Sequence, residues 1–113
     1  MQWFFNRFRF ASRSPDWKKI RKQHLLLQPF CQACGKINDL EVHHIVPVHV
    51  DPAKELDLNN LITLCSKQCH LTFGHLMDYK SWNKDVVNDC QSYLKKIQQR
   101  PYHERDQKTN PNI

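Results

Sequence analysis

Apolar positions along this chain come in short runs whose period changes several times. Trp17, Ile20, His24 and Leu27 recur at three- and four-residue steps, which is one stripe of an amphipathic helix. Ser14-Pro15-Asp16 marks its start. Serine can cap, proline fits the first turn, and aspartate suits the positive end of the helix dipole. Pro29 stops the helix near Leu27 or Gln28. Residues 40–46 are rich in β-branched side chains and halted by Pro47, so they predict a strand. Residues 48–60 carry Asp51, Pro52, Asp57 and two asparagines, and read mostly as loop. The run 61–64 predicts a second strand. Residues 67–73 predict a short helix, with Gly74 at its exit. Asn83 resembles a helix cap. Val86, Val87, Cys90, Tyr93, Leu94 and Ile97 form the apolar side of a last helix reaching about Gln99.

This alternation predicts a small α+β domain over residues 14–100. It is preceded by an aromatic and basic arm, 1–13, and followed by a polar, proline-flanked tail, 101–113. In the arm, Trp3, Phe4, Phe5, Phe8 and Phe10 suit an apolar flap packed on the domain. The alternation Arg7-Phe8-Arg9-Phe10 also fits a short edge strand, or an arm that meets phosphates and bases. No internal repeat is present.

Length and charge narrow the picture. With 113 residues the chain buries only a modest core, and such domains often need a staple, of which a structural metal is one. No apolar run approaches the ~20 residues of a membrane span. The first ten residues lack a signal-peptide core and cleavage site. A cytoplasmic, membrane-free protein with reduced thiols is therefore expected. The net charge of +6 resides in residues 1–30, and the remainder cancels. Arg13, Lys18, Lys19, Arg21 and Lys22 thus make a candidate surface for nucleic acid. A solvated helix face with a basic tail explains the same charges.

The chemistry sits between Cys31 and His75. Two cysteine pairs, Cys31/Cys34 and Cys65/Cys69, are spaced C-x2-C and C-x3-C. Two short turns carrying two thiolates each supply four soft ligands for tetrahedral zinc, about 2.3 Å from the ion. Cys90 lies apart, on the apolar side of the last helix, and is expected in the core. His43, His44 and His70 can meet if the strand returns beside the short helix. Neutral imidazole binds divalent metals, and its unperturbed pKa of about 6.5 lets it take a proton from water. Phosphodiester cleavage needs such a base together with a cation. Neighbours on a regular strand point to opposite faces, so His43 and His44 can both reach one ion only if the strand ends or bulges there. His24, His49 and His103 read as packing or surface residues.

The stretch 17–82 resembles the HNH endonuclease family, built on a ββα-metal finger. The matching motifs are E-V-H-H-I-V-P, L-N-N-L and L-C-S-K-Q-C-H, set within the two cysteine pairs. The resemblance implies a zinc-stabilised ββα core with flanking N- and C-terminal helices. It implies a metal-dependent endonuclease that hydrolyses DNA phosphodiester bonds, giving a nick or a double-strand break. His44 would be the general base and Asn60 the residue that holds the interstrand loop, with Asn59 its neighbour in L-N-N-L. His43 and His70 would bind the catalytic ion, which would be Mg2+, Mn2+, Ni2+, Co2+ or Zn2+. Two departures stand out. Many members carry a lysine three residues after the last histidine, where this chain has Phe73, so Lys80 or Lys84 would replace it. Colicin-type members carry a further histidine four residues on, whereas His75 lies five after His70. Five α-helical residues rotate about 140° from the starting face. His75 would join as a third ligand only if Gly74 breaks the helix.

Two other functions fit some of these features. A non-catalytic zinc-ribbon module that binds nucleic acid explains the cysteines and the charge, but gives His43, His44, Asn60 and His70 no shared purpose. A zinc-stapled adaptor for another protein leaves the basic first third incidental.

Overall fold

The computed structural model describes residues 13–66 and 68–100. The arm up to residue 12, Lys67 and the tail 101–113 with His103 lie outside the described residues. In chain order the elements are helix α1 (Trp17–Leu27), strand β1 (Leu40–His44), 3₁₀ turns Pro52–Lys54 and Leu58–Asn60, strand β2 (Leu61–Cys65), a π-helical turn His70–Gly74, and helix α2 (Val86–Gln98). The expected small α+β architecture forms, with a ββα core between two flanking helices.

β1 and β2 pair antiparallel, from Leu40 opposite Cys65 to His44 opposite Leu61. All five β2 residues are buried. β1 stops at His44, two residues earlier than its composition suggests. Beyond it Asn60 takes over the pairing: its carbonyl accepts the Ile45 N–H at 2.8 Å, and its side chain engages Val46.

α1 is tied to the sheet through Gln28. Its Oε1 accepts the Thr63 N–H at 2.8 Å and the His24 Nε2–H at 3.0 Å. Its carbonyl accepts the Thr63 hydroxyl at 2.8 Å. His24 is thus a buried packing residue. Leu27 leaves the apolar stripe and is 70% exposed, because the helix ends there and Gln28, not Leu27, turns onto β2. The Ser14 hydroxyl accepts the Asp16 N–H, a turn just ahead of the helix rather than a cap within it.

The core is small and rich in sulfur. Cys31, Ala33, Ile62, Leu64, Cys65, Cys69, Val86 and Cys90 form it, with Leu40, Ile45 and Phe73 packed against it. Only Val86 and Cys90 of α2 are fully buried, whereas Val87 and Tyr93 stay partly in solvent. Asn83 does not cap α2, which begins after Asp85. Its amide instead donates to the Phe73 carbonyl at 3.0 Å and to Asp89 at 2.8 Å, fastening the π turn to α2. Among the described residues no helix is long and apolar enough to cross a membrane.

Candidate active site and metal centres

The cysteine pairs converge. One sulfur from each of Cys31, Cys34, Cys65 and Cys69 lies within 4.8 Å of all the others. Cys34 Sγ and Cys65 Sγ are 4.0 Å apart, and all four thiols are free. Four Zn–S bonds of about 2.3 Å at tetrahedral angles put sulfurs about 3.8 Å apart, so the cluster has the dimensions of a four-thiolate zinc site. Each turn also aims a backbone N–H at its first sulfur: Cys34 N to Cys31 Sγ at 3.5 Å, and Cys69 N to Cys65 Sγ at 3.4 Å. Such bonds favour the thiolate. Burial pushes Cys31 upward, but N–H groups of Cys34 and Ala33 outweigh it and leave this thiol below its ordinary value. Gly35 closes the first turn at φ 81°, a left-handed conformation that glycine adopts without a steric cost.

A second cluster is made of histidines. The rings of His43, His70 and His75 form a triangle with every centroid separation 4.9 Å. One ring nitrogen from each lies within 4.8 Å of the other two. His70 Nε2 and His43 Nδ1 are 3.1 Å apart. Metal–imidazole bonds of about 2.0–2.1 Å place neighbouring nitrogens about 2.9–3.4 Å apart, depending on the angle at the metal.

The outer nitrogens of two rings are pinned. His70 Nδ1 donates to Glu41 Oε1 at 2.8 Å, and His75 Nδ1 donates to the Ser81 carbonyl at 2.8 Å. These bonds fix the tautomers and turn the bare Nε2 atoms elsewhere. Metal-binding histidines are usually held in this way. His43 is buried and its Nε2 has no partner among the described residues. Burial first, then the neighbouring His70 and His75, pushes its pKa down to about 3. It is therefore a neutral imidazole with a lone pair available at ordinary pH.

His75 reaches this cluster by a route that the α-helical rule excludes. Residues 70–74 form a π turn, in which bonds run i to i+5, so residues five apart lie over one another. Gly74 does not break the helix. Its role is steric: a β-carbon there would stand 3.0 Å from His43 Cε1 and Nδ1, and 3.1 Å from His70 Cδ2. Leu76 and Met77 then take left-handed φ values of 55° and 71° and turn the chain back toward Ser81. Such φ values cost on the order of 1–3 kcal/mol each in non-glycine residues and persist only where the surroundings enforce them.

His44 faces away from His43, as strand geometry requires. It does not join the triangle, but it lines the same cavity of about 540 Å³ as His43, His70 and His75. Its Nε2 donates to the Glu55 carbonyl at 2.9 Å. A carbonyl only accepts, so the neutral ring carries its proton on Nε2 and keeps Nδ1 bare. Burial lowers the His44 pKa, with the Glu55 carbonyl acting the opposite way, so the ring is neutral near pH 7.

Asn60 staples the loop that follows β1. Its Oδ1 accepts the Val46 N–H at 2.8 Å, and its Nδ2 donates to the carbonyls of Val46 and Lys54 at 3.0 and 3.2 Å. Lys54 precedes Glu55, so the same staple sets the carbonyl that holds His44. Asn59 is exposed, and its N–H bonds to Asp57.

The basic residues separate. Arg13 lines the cavity, as does Lys80, while Lys18, Lys19, Arg21 and Lys22 do not. Arg21 is drawn to the Leu40 carbonyl at 3.5 Å. Lys84 lies over the Trp82 ring instead, and Phe73 packs on Tyr93. Sequence reasoning missed Glu41, although its position two residues before His43 put it on the same strand face. It also missed Glu55 and Trp17 as neighbours of His44, for which no local pattern exists.

The family model described as HNH endonuclease matches residues 31–75, from the first cysteine to the third histidine of the triangle. No curated protein matches the chain at a significant level. The matched segment spans the cysteine cluster and the histidine triangle, and together with the ββα topology it makes residues 31–75 similar to the HNH endonuclease family.

Proposed function

We propose that the protein is a metal-dependent endonuclease that hydrolyses DNA phosphodiester bonds, with His44 as general base and a structural zinc ion on Cys31, Cys34, Cys65 and Cys69. One observation carries this reading: a histidine with its proton fixed on Nε2 shares a cavity with three imidazoles of metal-binding geometry.

A divalent ion on His43, His70 and His75 would offset the charge that builds on the phosphorane and the leaving oxygen. Three nitrogen donors suit Zn2+, Ni2+, Co2+ or Mn2+ better than Mg2+, which prefers oxygen. The chain's own groups do the rest. His44 Nδ1 takes the proton from a water as its oxygen attacks phosphorus, and the bond to the leaving oxygen breaks. The Glu55 carbonyl keeps the ring in the required tautomer and stabilises the imidazolium that forms. Asn60 sets that carbonyl's place. Arg13 and Lys80 supply positive charge at the cavity wall for the flanking phosphates, with Lys80 standing in for the lysine the family usually has near Phe73. Lys18, Lys19 and Lys22, exposed on α1, would contact phosphates further along the duplex, so affinity should fall steeply with salt.

The test is plasmid nicking across a panel of divalent metals with a chelator control. Wild type should relax supercoiled DNA with added metal. His44→Ala should lose at least about 100-fold in rate, in line with the usual contribution of a general base, while keeping DNA affinity and zinc content. Equal cleavage by His44→Ala would rule out the base assignment. Metal-independent DNA binding without cleavage by wild type would favour the zinc-ribbon module.

A further inference from the structure

We infer that Trp17 is a positioning residue for His44, fixing the face of the ring whose edge Glu55 holds; this rests on the proposed nuclease reading. The Trp17 and His44 rings are stacked, with centroids 4.7 Å apart and planes inclined by 29°. The Glu55 bond fixes one ring nitrogen but leaves rotation about that hydrogen bond. A stacked indole removes this freedom, because tilting His44 would break the ring contact. Trp17 lies in the first turn of α1, remote in sequence from both strands.

A second contact supports the same role. Glu55 reaches α1 as well as His44: its carboxylate accepts the Ser14 N–H at 2.9 Å, and the Ser14 carbonyl accepts the Trp17 N–H at 3.0 Å. Ser14, Trp17, His44 and Glu55 thus form a closed ring of contacts. The start of α1 cannot shift without moving either the face or the edge of the His44 ring. The Arg13 guanidinium lies 5.5 Å from the centroid of the same indole and borders the cavity. A phosphate that engages Arg13 therefore bears on the residue that orients His44.

The alternative is that Trp17 only fills space at the helix start. The two differ in what they predict for kcat. Aromatic replacements (Trp17→Phe, Trp17→Tyr) keep a stacking face, whereas Trp17→Leu and Trp17→Met keep apolar bulk without one. Each variant is compared with wild type and His44→Ala under saturating DNA and metal, below the lowest melting temperature, with zinc content and melting recorded. Two variants of each kind leave a comparison if one does not fold. We expect the aliphatic variants to lose about tenfold or more in kcat with KM changed less than about threefold, since small displacements of a reacting group are costly. The aromatic variants should stay within about threefold of wild type.

A folded aliphatic variant with wild-type kcat would overturn the inference and leave the nuclease reading intact. So would a rise in KM alone, which would mark Trp17 as a support for Arg13, or aromatic variants as slow as the aliphatic ones. A wild type that shows no metal-dependent cleavage would overturn the nuclease reading, and the role of Trp17 with it.

Discussion

The ring of His43 lies against Gly74 so closely that a β-carbon on Gly74 would stand 3.0 Å from its Cε1 and Nδ1. The contact is with a ring that is itself buried, so it has little room to retreat. Gly74→Ala should therefore displace His43 and His70 and weaken the three-histidine site at least about tenfold, while the cysteine clamp keeps its metal. Calorimetric titration of Co2+ or Ni2+ into the zinc-loaded protein checks this. Unchanged affinity at that site would refute the steric argument.

Glu41 presents a different dependence. Its carboxylate holds His70 Nδ1 at 2.8 Å. Glu41→Gln keeps the shape but removes the charge from the group that orients the ring. Loss of such a partner typically costs about 10–100-fold in metal affinity or activity. Cleavage should fall by that order at limiting metal and recover in part at high metal, whereas the His44→Ala defect should not recover.

Asn60→Asp separates the two halves of the loop staple. The carboxylate can still accept from Val46, but the donations to the carbonyls of Val46 and Lys54 are lost and turn repulsive. A buried network broken on one side costs about 1–3 kcal/mol, read from denaturant melts. Because the Lys54–Glu55 segment holds His44, kcat should fall with the stability loss.

The thiol clamp should behave as part of the core. Cys31, Cys65 and Cys69 are among its buried residues, and few large aliphatic side chains share it. Removing the metal would leave the thiols crowded with nothing to bind them. Chelation, or Cys65→Ser, should abolish cooperative melting or lower its midpoint sharply, and zinc should restore it in the wild type alone. A chelated protein that melts like the loaded one would exclude a structural metal.

Acid should act partly through His24. Burial lowers its pKa, opposed by its bond to Gln28, so the native state holds it neutral more firmly than the unfolded chain does. The unfolded chain takes up a proton first, near pH 6.5. The contribution to stability is therefore complete above about pH 6.5 and is lost as pH falls from there through the lower native value. Thermal melts from pH 7.5 downward should show wild type losing more stability than His24→Gln. Parallel curves would argue against the shift.

Much of the fold was legible because its signals are local. The helix from Trp17, the strands around Val42 and Ile62, and the helix around Cys90 each announce themselves by the period of their own side chains. The boundaries were less legible: β1 ends at His44 because the Asn60 side chain captures Val46, a bond between residues 14 apart. Phe73, at the position where many family members carry a lysine, packs on Tyr93 in α2, and only the assembled fold shows that Lys80 rather than Lys84 lines the cavity.

The order and spacing of the cysteines, histidines and asparagine were determined by the sequence alone, because ligands on short turns must be near one another in the chain. The tertiary structure decided which groups serve each histidine. Whether His75 enters the triangle depends on a helix widened by one residue, and no periodicity of residue types records that. Whether His44 is fixed depends on Glu55 and Trp17, brought from a loop and a distant helix. A hydrogen bond and a ring stack of that kind come from the path of the backbone, and the chain reveals them only once it has closed on itself.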